Sequence, residues 1–220
     1  AIGEHALAER VRGDQIDILV DLAGHTAGNR LLGFAYKPAP VQISALGYFN
    51  TTGLHTMDYW MADEVHIPKE DEALYVEKIL RLQDYICYTP PEYAPPVAPL
   101  PVLQSGVLHF GCFNNVAKIG PETVALWAQI LRAVPRARLV LRSHGLESAI
   151  IRDRLRELFT HQQISLSRID LLPGVEHRTL LASYATIDLA LDPTPYSGGL
   201  TTCEAMWMGV PVVTLRGDRF

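Results

Sequence analysis

Residues 189–209 constrain the fold of this chain more than any other segment. They begin with an apolar stretch typical of a buried strand and continue through a turn rich in proline and glycine. A predicted helix follows, with Glu204 placed one turn in, where its carboxylate could accept hydrogen bonds from ribose hydroxyls. The N–H groups at the start of such a helix lack partners and lie at the positive end of its dipole, so they suit a diphosphate. Thr201 and Thr202 could contact phosphates or serve only as N-caps of an ordinary turn, and both interpretations stay open.

The rest of the chain alternates short apolar strands with helices. Strands are predicted at residues 16–22, 40–46, 59–62, 108–114, 138–141, 169–172, 187–192 and 211–215, and helices at 29–36, 121–134, 146–159 and 177–184. The first of these strands has the composition of a mostly buried strand. Alternation at this spacing predicts an α/β fold with parallel sheets, in which ligands bind beyond the carboxyl ends of the strands.

A proline-rich segment divides the sequence into two parts. Residues 89–101 contain six prolines, which excludes a helix or a central strand there and favours polyproline II. We therefore predict a first lobe at 1–88, a linker at 89–101 and a second lobe at 102–220. The sequence begins without Met and stops just after a predicted strand, so we expect it to be incomplete at both ends.

Composition narrows the class of protein. The chain has 220 residues, 48% of them hydrophobic, which is enough to bury a core. Its formal net charge of −5 argues against a nucleic-acid partner, since such surfaces carry a basic excess. No apolar run reaches the roughly 18 residues of a membrane span, so no membrane partner is expected. The three cysteines have no paired spacing and no histidine cluster, which favours a cytoplasmic location without a metal site.

Several motifs, in order along almost the whole chain, resemble glycosyltransferase family 41, the O-linked N-acetylglucosamine transferases. The motifs lie at residues 38–42, 46–48, 51–53, 57–59, 113–119 with Pro121, and 195–211. The pair Gly198-Gly199 and the ending Trp207-Met208-Gly209 are more similar to bacterial members than to animal ones. The resemblance implies a GT-B fold, with two Rossmann-like lobes of parallel sheets and the sugar nucleotide in the cleft.

The resemblance also implies an activity. Members of the family move N-acetylglucosamine from UDP-GlcNAc to Ser or Thr hydroxyls of proteins, with inversion and without a required metal or other cofactor. The expected partners are a UDP-sugar and an acceptor protein or peptide. Family members carry tetratricopeptide repeats, so we expect these repeats in the parent protein.

Individual roles follow from the positions that match the family pattern. Lys118 takes the role of the cation that offsets charge on the leaving UDP, and His25 is the catalytic candidate in the first lobe. Glu204 stands where relatives often carry Asp, which keeps the carboxylate, whereas Leu200 replaces a residue that is often Thr. The resemblance assigns nucleotide-sugar binding to Asn115, Lys118, Gly174, Val175, His177, Gly198, Gly199, Leu200, Thr201, Thr202 and Glu204, and the sugar pocket to Leu46, Gly47 and Tyr48.

Other interpretations of the same residues stay open. The asparagines at 114 and 115 and the segment 174–176 also suit plain turns, and His25 suits an exposed loop histidine. A GT-B enzyme with another nucleotide sugar or a small-molecule acceptor fits the same fold, and so does a non-catalytic module that binds a nucleotide or a partner. A dehydrogenase is disfavoured, because no Gly-x-Gly-x-x-Gly follows the first strand of either half.

Overall fold

The computed structural model describes residues 2–217 of the chain. These residues form two compact units that meet in sequence between Cys87 and Tyr88. Each unit consists of one parallel sheet with helices in the connections between its strands. The α/β fold class predicted from the alternation of strands and helices is confirmed.

The first unit contains a four-stranded parallel sheet. Its elements are α1 (Glu4–Gly13), β1 (Ile18–Asp21), α2 (Leu31–Ala35), β2 (Val41–Ser44), β3 (Tyr59–Ala62), a 3₁₀ turn (Lys69–Leu74) and β4 (Lys78–Arg81). The strand order is β1-β2-β3-β4, so each strand pairs with the next one in the chain. Helix α1 and strand β4 are not among the elements predicted from the sequence.

The second unit contains a five-stranded parallel sheet. Its elements are α3 (Val102–Ser105), β5 (His109–Cys112), α4 (Pro121–Ala133), β6 (Arg138–Ser143), α5 (Ala149–His161), β7 (Ile169–Pro173), α6 (His177–Ser183), β8 (Leu189–Leu191), α7 (Leu200–Trp207) and β9 (Val212–Val213). The strand order is β7-β6-β5-β8-β9. Every helix and strand that the sequence predicts in residues 102–217 is present, with ends that differ by a few residues.

The core of the second unit lies between the sheet and helices α4 and α5. Trp127 and Leu131 of α4 are fully buried, and Leu155 and Phe159 of α5 pack into the same cluster with Leu139 of β6. Pro121 occupies the first turn of α4, where its missing N–H has no cost because that group lacks a helical partner anyway. This packing fixes the central strands, and the strands in turn position the loops at their carboxyl ends.

Strand β1 is less buried than its composition predicts. Its burial alternates, with Ile18 57% and Val20 43% exposed and Asp21 buried. Among the described residues β1 pairs only with β2 and forms one edge of its sheet. An apolar run identifies a strand, but its burial depends on what covers each face. The expectation of a mostly buried strand at 16–22 is therefore wrong for the described residues.

The proline-rich segment contains no helix or strand before α3. It packs against the second unit: Ala94 contacts the apolar cluster that includes Leu181 and Met208. Val97 lies against Gly209, where a Cβ atom would come within 2.6 Å of Val97 Cγ1. Gly209 also has a φ of +77°, a conformation that favours glycine. The predicted linker thus has specific packing partners of its own, while its role in connecting the lobes stays a prediction.

Candidate functional site

The second sheet changes direction between β5 and β8. From β5 the chain winds outward through β6 to β7, and it then returns to the other side of β5 with β8 and β9. In an open parallel sheet, the loops that leave the strands at such a reversal diverge and create a ligand-binding crevice. The loops in question hold residues 113–120 and 192–199. The topology therefore places the lysine-bearing loop next to the glycine-rich loop that precedes α7.

Asn114 and Asp192 connect these two loops. Both side chains are buried. Asn114 Oδ1 accepts a hydrogen bond from the Thr201 hydroxyl at 2.9 Å, and Asn114 Nδ2 lies 3.5 Å from Asp192 Oδ1. Asp192 Oδ1 also accepts the backbone N–H of Gly198 at 2.8 Å, and Asp192 Oδ2 accepts the Thr214 hydroxyl at 2.9 Å. The network holds the N-terminal end of α7 against the end of β5.

Gly198 permits the close packing of this network. A Cβ atom at this position would lie 2.6 Å from Thr202 Oγ1, 2.9 Å from Asp192 Oδ1 and 3.0 Å from Asn114 Oδ1. Asp192 Oδ1 and Asn114 Oδ1 are held by hydrogen bonds from the Gly198 N–H and the Thr201 hydroxyl, so they cannot move away without breaking these bonds. Glycine is thus required here by space rather than by backbone conformation.

Lys118 belongs to the same cluster. Its ammonium group donates a hydrogen bond to the Ser197 carbonyl at 2.7 Å and lies 4.1 Å from the centroid of the Tyr196 ring. Burial lowers the pKa of Lys118, and the nearby Asp192 carboxylate acts in the opposite direction. The lysine is therefore a partly buried cation held against the glycine-rich loop, not a solvated surface side chain.

The first turn of α7 has unpaired hydrogen-bonding groups. Thr202 Oγ1 is buried, and within residues 2–217 it has no hydrogen-bond partner. The N–H groups of Thr202 and Cys203 donate to the Gly199 carbonyl at 3.1 and 3.3 Å. The N–H groups of Leu200 and Thr201 have no partner inside the helix. A buried hydroxyl without a partner is costly unless a ligand supplies one, and the helix dipole favours an anionic ligand.

Asn115 and Leu200 contribute less to this cluster than the resemblance implies. Asn115 is exposed, and its Oδ1 accepts the N–H of Ala117 at 3.0 Å, which caps the 3₁₀ turn Val116–Lys118. The Leu200 side chain is 62% exposed and apolar, so only the backbone of this residue can contact a phosphate. Gly199 is the N-cap residue of α7. The roles of these three residues in nucleotide binding stay predictions.

A second cluster lies along α6 and α7. Glu204 is buried, and its Oε1 accepts a hydrogen bond from His177 Nε2 at 2.7 Å. His177 Nδ1 lies 2.7 Å from the Tyr93 hydroxyl. Glu204 Oε1 is therefore already occupied by an imidazole, and only Oε2 could accept hydrogen bonds from a ribose. The structure brings His177 and Glu204 together, and their roles in nucleotide binding stay predictions.

The Gly174–Val175 turn is held by a carboxylate that the sequence did not single out. Glu147 accepts the N–H of Gly145 at 2.5 Å and the N–H of Gly174 at 2.9 Å. Its own backbone N–H, that of Gly145 and that of Gly174 hold the pKa of Glu147 below its usual value. Because the N–H of Gly174 is engaged in this way, Gly174 can offer a base only its carbonyl. Contact of Gly174 or Val175 with uracil stays a prediction.

The first unit has its own cluster at the carboxyl ends of β1 and β2. A Cβ atom on Gly47 would lie 2.0 Å from the Leu22 carbonyl oxygen, so the two loops touch through their backbones. Tyr48 packs edge-on against His25, with ring centroids 5.3 Å apart. Leu46 has a φ of +62°, and its N–H donates to the Tyr85 hydroxyl. The predicted sugar-pocket residues 46–48 therefore lie beside His25.

The geometry of His25 defines which nitrogen carries its proton. Its Nε2 lies 3.0 Å from the Thr52 carbonyl oxygen. A carbonyl can only accept, so Nε2 donates and Nδ1 of the neutral ring is left as an acceptor. The residue is exposed. A catalytic role of His25 stays a prediction.

No group of three or more His, Cys, Asp or Glu side chains in residues 2–217 lies close enough together to hold a metal ion. Within the same residues, no helix is long and apolar enough to cross a membrane.

Sequence reasoning missed Asn114, Asp192, Glu147 and Tyr93 as members of these clusters. Asp192 directly follows a predicted strand, and polar residues at the carboxyl end of a parallel strand are a usable signal. Asn114 and Asn115 both stand at the end of a predicted strand, so this signal does not tell which of the two side chains joins the cluster. Glu147 and Tyr93 come from loops whose partners lie far away in sequence, so no local pattern could identify them.

Comparison with known proteins places this geometry in a family. The model of glycosyl transferase family 41 matches residues 2–87 and 101–220. The chain is 46% identical to an Arabidopsis thaliana protein named probable UDP-N-acetylglucosamine–peptide N-acetylglucosaminyltransferase SPINDLY, over 99% of this chain and 24% of that protein. It is 32% identical to the Arabidopsis protein of the same enzyme name called SEC, over 98% of this chain and 23% of that protein. The chain thus spans about a quarter of these relatives.

Solved structures agree with this result. A mutant O-GlcNAc transferase from Thermobaculum terrenum, with a lysine replaced by methionine, is 45% identical and superimposes with a TM-score of 0.93, over 99% of this chain and 41% of that one. The pneumococcal O-GlcNAc transferase GtfA is only 14% identical, with a TM-score of 0.57 over 97% of this chain and 45% of that one, and it shows the fold alone. These matches confirm the GT-B fold class and the family resemblance. The chain belongs to glycosyltransferase family 41.

Proposed function

We propose that this chain is part of a protein O-GlcNAc transferase, in which its second unit binds UDP-GlcNAc. The observation that carries the proposal is the cluster at the switch point of the second sheet. There the Lys118 ammonium and the unpartnered Thr202 hydroxyl lie at the glycine-rich loop and the start of α7. A partly buried cation, a buried donor without a partner and a helix N-terminus together suit a diphosphate. The similarity to family members named as O-GlcNAc transferases supports this choice of substrate.

The proposed reaction breaks the bond between the anomeric carbon of GlcNAc and the diphosphate oxygen. The acceptor hydroxyl forms the new bond from the opposite face, so the anomeric configuration inverts, and the hydroxyl proton passes to a base. Negative charge develops on the departing UDP. A fixed ammonium group and helix-end N–H groups stabilise this charge more in the transition state than in the ground state. Lys118 would supply the ammonium, which agrees with a reaction that requires no metal or other cofactor.

Burial has a consequence for Lys118. Burial lowers the pKa of this amine. A neighbouring anion acts in the opposite direction and favours the protonated form. A bound diphosphate would therefore keep Lys118 protonated, which is the form that the reaction needs. The Ser197 carbonyl, 2.7 Å from Nζ, keeps the ammonium at the loop where we place the diphosphate.

In the first unit, His25 is our catalytic candidate, a loop histidine that could hydrogen-bond the acceptor hydroxyl or a phosphate. Its Nε2–H is fixed by the Thr52 carbonyl, and Nδ1 makes no hydrogen bond within residues 2–217. An imidazole nitrogen with free acceptor capacity can accept a hydrogen bond from an acceptor hydroxyl. Residues 46–48, packed beside His25, would contact the sugar.

Further properties of the whole protein belong to the same proposal. An acceptor protein or peptide, tetratricopeptide repeats outside these 220 residues and a cytoplasmic location fit the family and the cysteine usage. The charge balance of the chain supports the expectation that neither nucleic acid nor a membrane is a partner.

The test is a transfer assay with the full-length protein, UDP-GlcNAc and peptide acceptors, in the presence of EDTA. The Lys118→Ala variant is expected to lose activity by about 100-fold or more, the range seen when one stabiliser of transition-state charge is removed. Lys69→Ala, a substitution of an exposed lysine in the first unit, is the matched control. Full activity of Lys118→Ala would contradict the assignment of the site. A preference for ADP- or GDP-sugars would favour the alternative donor, and loss of activity in EDTA would contradict metal independence.

A further inference from the structure

The proline-rich segment supplies a side chain to the cluster formed by α6 and α7. We propose that Tyr93 is a positioning residue of the nucleotide site, which fixes the orientation of the His177 ring and, through it, the Glu204 carboxylate. The inference rests on the proposed function, because it names a further component of the same site. Neither the sequence motifs nor the family resemblance point to Tyr93.

The hydrogen bonds of the cluster form a directed chain. A carboxylate can only accept, so His177 Nε2 carries hydrogen and donates to Glu204 Oε1 at 2.7 Å. In the neutral imidazole Nδ1 is then an acceptor, and the Tyr93 hydroxyl, 2.7 Å away, donates to it. The two rings also pack edge to face, with centroids 5.8 Å apart and planes at 88°. Both ring nitrogens of His177 are thereby occupied.

The hydrogen bond from His177 matters for Glu204 because the Glu204 carboxylate is buried. The Glu204 side chain is only 3% exposed, whereas that of His177 is 39% exposed. A buried carboxylate depends on its few hydrogen-bond partners, because water cannot replace them. If Tyr93 no longer donates to Nδ1, Glu204 still requires hydrogen on Nε2, but the imidazole is held at one nitrogen only and is free to rotate. Glu204 would then lose the N–H that fixes Oε1.

The segment that carries Tyr93 is itself anchored to the same unit. Tyr88 packs edge-on against Trp207 of α7, with ring centroids 6.5 Å apart. Val97 fills the space above Gly209, and Ala94 contacts the apolar cluster beneath α6. The prolines restrict the backbone between these contacts, which lowers the entropy lost on fixing the segment. Tyr93 is therefore held in place from both sides, as a positioning residue must be.

The test compares Tyr93→Phe with wild type in the full-length protein. The substitution removes one hydroxyl and keeps the ring that packs on His177. Tyr36→Phe is the matched control, because Tyr36 also packs edge-on against a histidine, His5. Its hydroxyl makes no hydrogen bond within residues 2–217. The readouts are the donor KM, kcat, the thermal midpoint, and the ¹⁵N shifts of the His177 ring, assigned with a His177→Gln sample.

The expected result for Tyr93→Phe is about a five-fold rise in donor KM, the effect of one hydrogen bond, with kcat and thermal midpoint unchanged. In wild type the His177 ring is expected as the Nε2–H tautomer with a hydrogen bond to Nδ1, and in Tyr93→Phe the ¹⁵N shift of Nδ1 is expected to move away from its wild-type value. Tyr36→Phe should match wild type throughout.

Unchanged KM and ¹⁵N shifts in an active protein would overturn the inference alone. A lowered thermal midpoint, together with a rise in KM and a fall in kcat by equal factors, would overturn the inference in favour of a structural role. A wild-type protein that neither binds nor uses UDP-GlcNAc would overturn the proposed function and this inference with it.

Discussion

The unpartnered hydroxyl of Thr202 leads to a prediction with opposite signs for stability and for binding. Thr202 Oγ1 is buried without a hydrogen-bond partner in the described part of the chain, whereas Thr201 Oγ1 donates to Asn114 Oδ1 at 2.9 Å. Valine has the same shape as threonine and lacks the hydroxyl. In Thr202→Val the ligand-free protein no longer buries an unsatisfied group, which is worth about 1–2 kcal/mol. The thermal midpoint should therefore rise by about 2–8 °C.

Nucleotide affinity should change in the other direction. A hydrogen bond from Thr202 to a phosphate oxygen is charge-assisted, and its loss costs about 1.5–3 kcal/mol, or about 10- to 100-fold in the dissociation constant for UDP. Thr201→Val is the control, because it breaks an existing bond and should lower the thermal midpoint. The assays are thermal unfolding without ligand and calorimetric titration of UDP with the full-length protein. A Thr202→Val variant that is less stable than wild type, or that binds UDP equally well, would refute the reasoning.

Two further predictions concern the first unit. In Gly47→Ala the new Cβ atom would lie 2.0 Å from the Leu22 carbonyl oxygen. The variant should lose about 3 kcal/mol and about 6–12 °C in thermal midpoint, whereas Gly13→Ala, in helix α1 with open space around it, should gain up to about 1 kcal/mol in stability. Burial alone would raise the pKa of Asp63, but hydrogen bonds from two backbone N–H groups and one imidazole hold it at about 2. A carboxyl with a lowered pKa stabilises the fold above its unfolded-state pKa, so about 2 kcal/mol should be lost as the pH falls from 4 to 2. In urea titrations Asp63→Asn should lack this loss, and an unchanged pH dependence would contradict the assignment.

The general plan of the fold follows from the sequence because it depends on local patterns. Apolar strands, Pro at the first turn of α4 and the strand–turn–helix at residues 189–209 identify most elements of both sheets. The switch point between β5 and β8 then determines which loops meet. The sequence already contains Lys118 in one of those loops and Thr202 in the helix that follows the other. This much of the candidate site could be predicted.

The contacts between side chains could not be predicted in the same way. Asn114 and Asn115 are adjacent and chemically identical, yet one is buried against Thr201 and the other is exposed. Which of the two faces inward depends on where β5 ends. The proline content of residues 89–101 predicts an absence of helix and strand, but the contact between Tyr93 and His177 depends on tertiary packing. The exposure of β1 likewise depends on its neighbours.

The most direct test of the central claim is a calorimetric titration of UDP, with ADP as control, into the full-length protein and its Lys118→Ala variant. The account predicts that wild type binds UDP in preference to ADP, and that loss of the ammonium weakens UDP binding about ten-fold or more. Lys69→Ala should bind as wild type does. Equal binding of UDP and ADP, or equal binding of UDP by wild type and Lys118→Ala, would contradict the placement of a uridine diphosphate at the Lys118 loop.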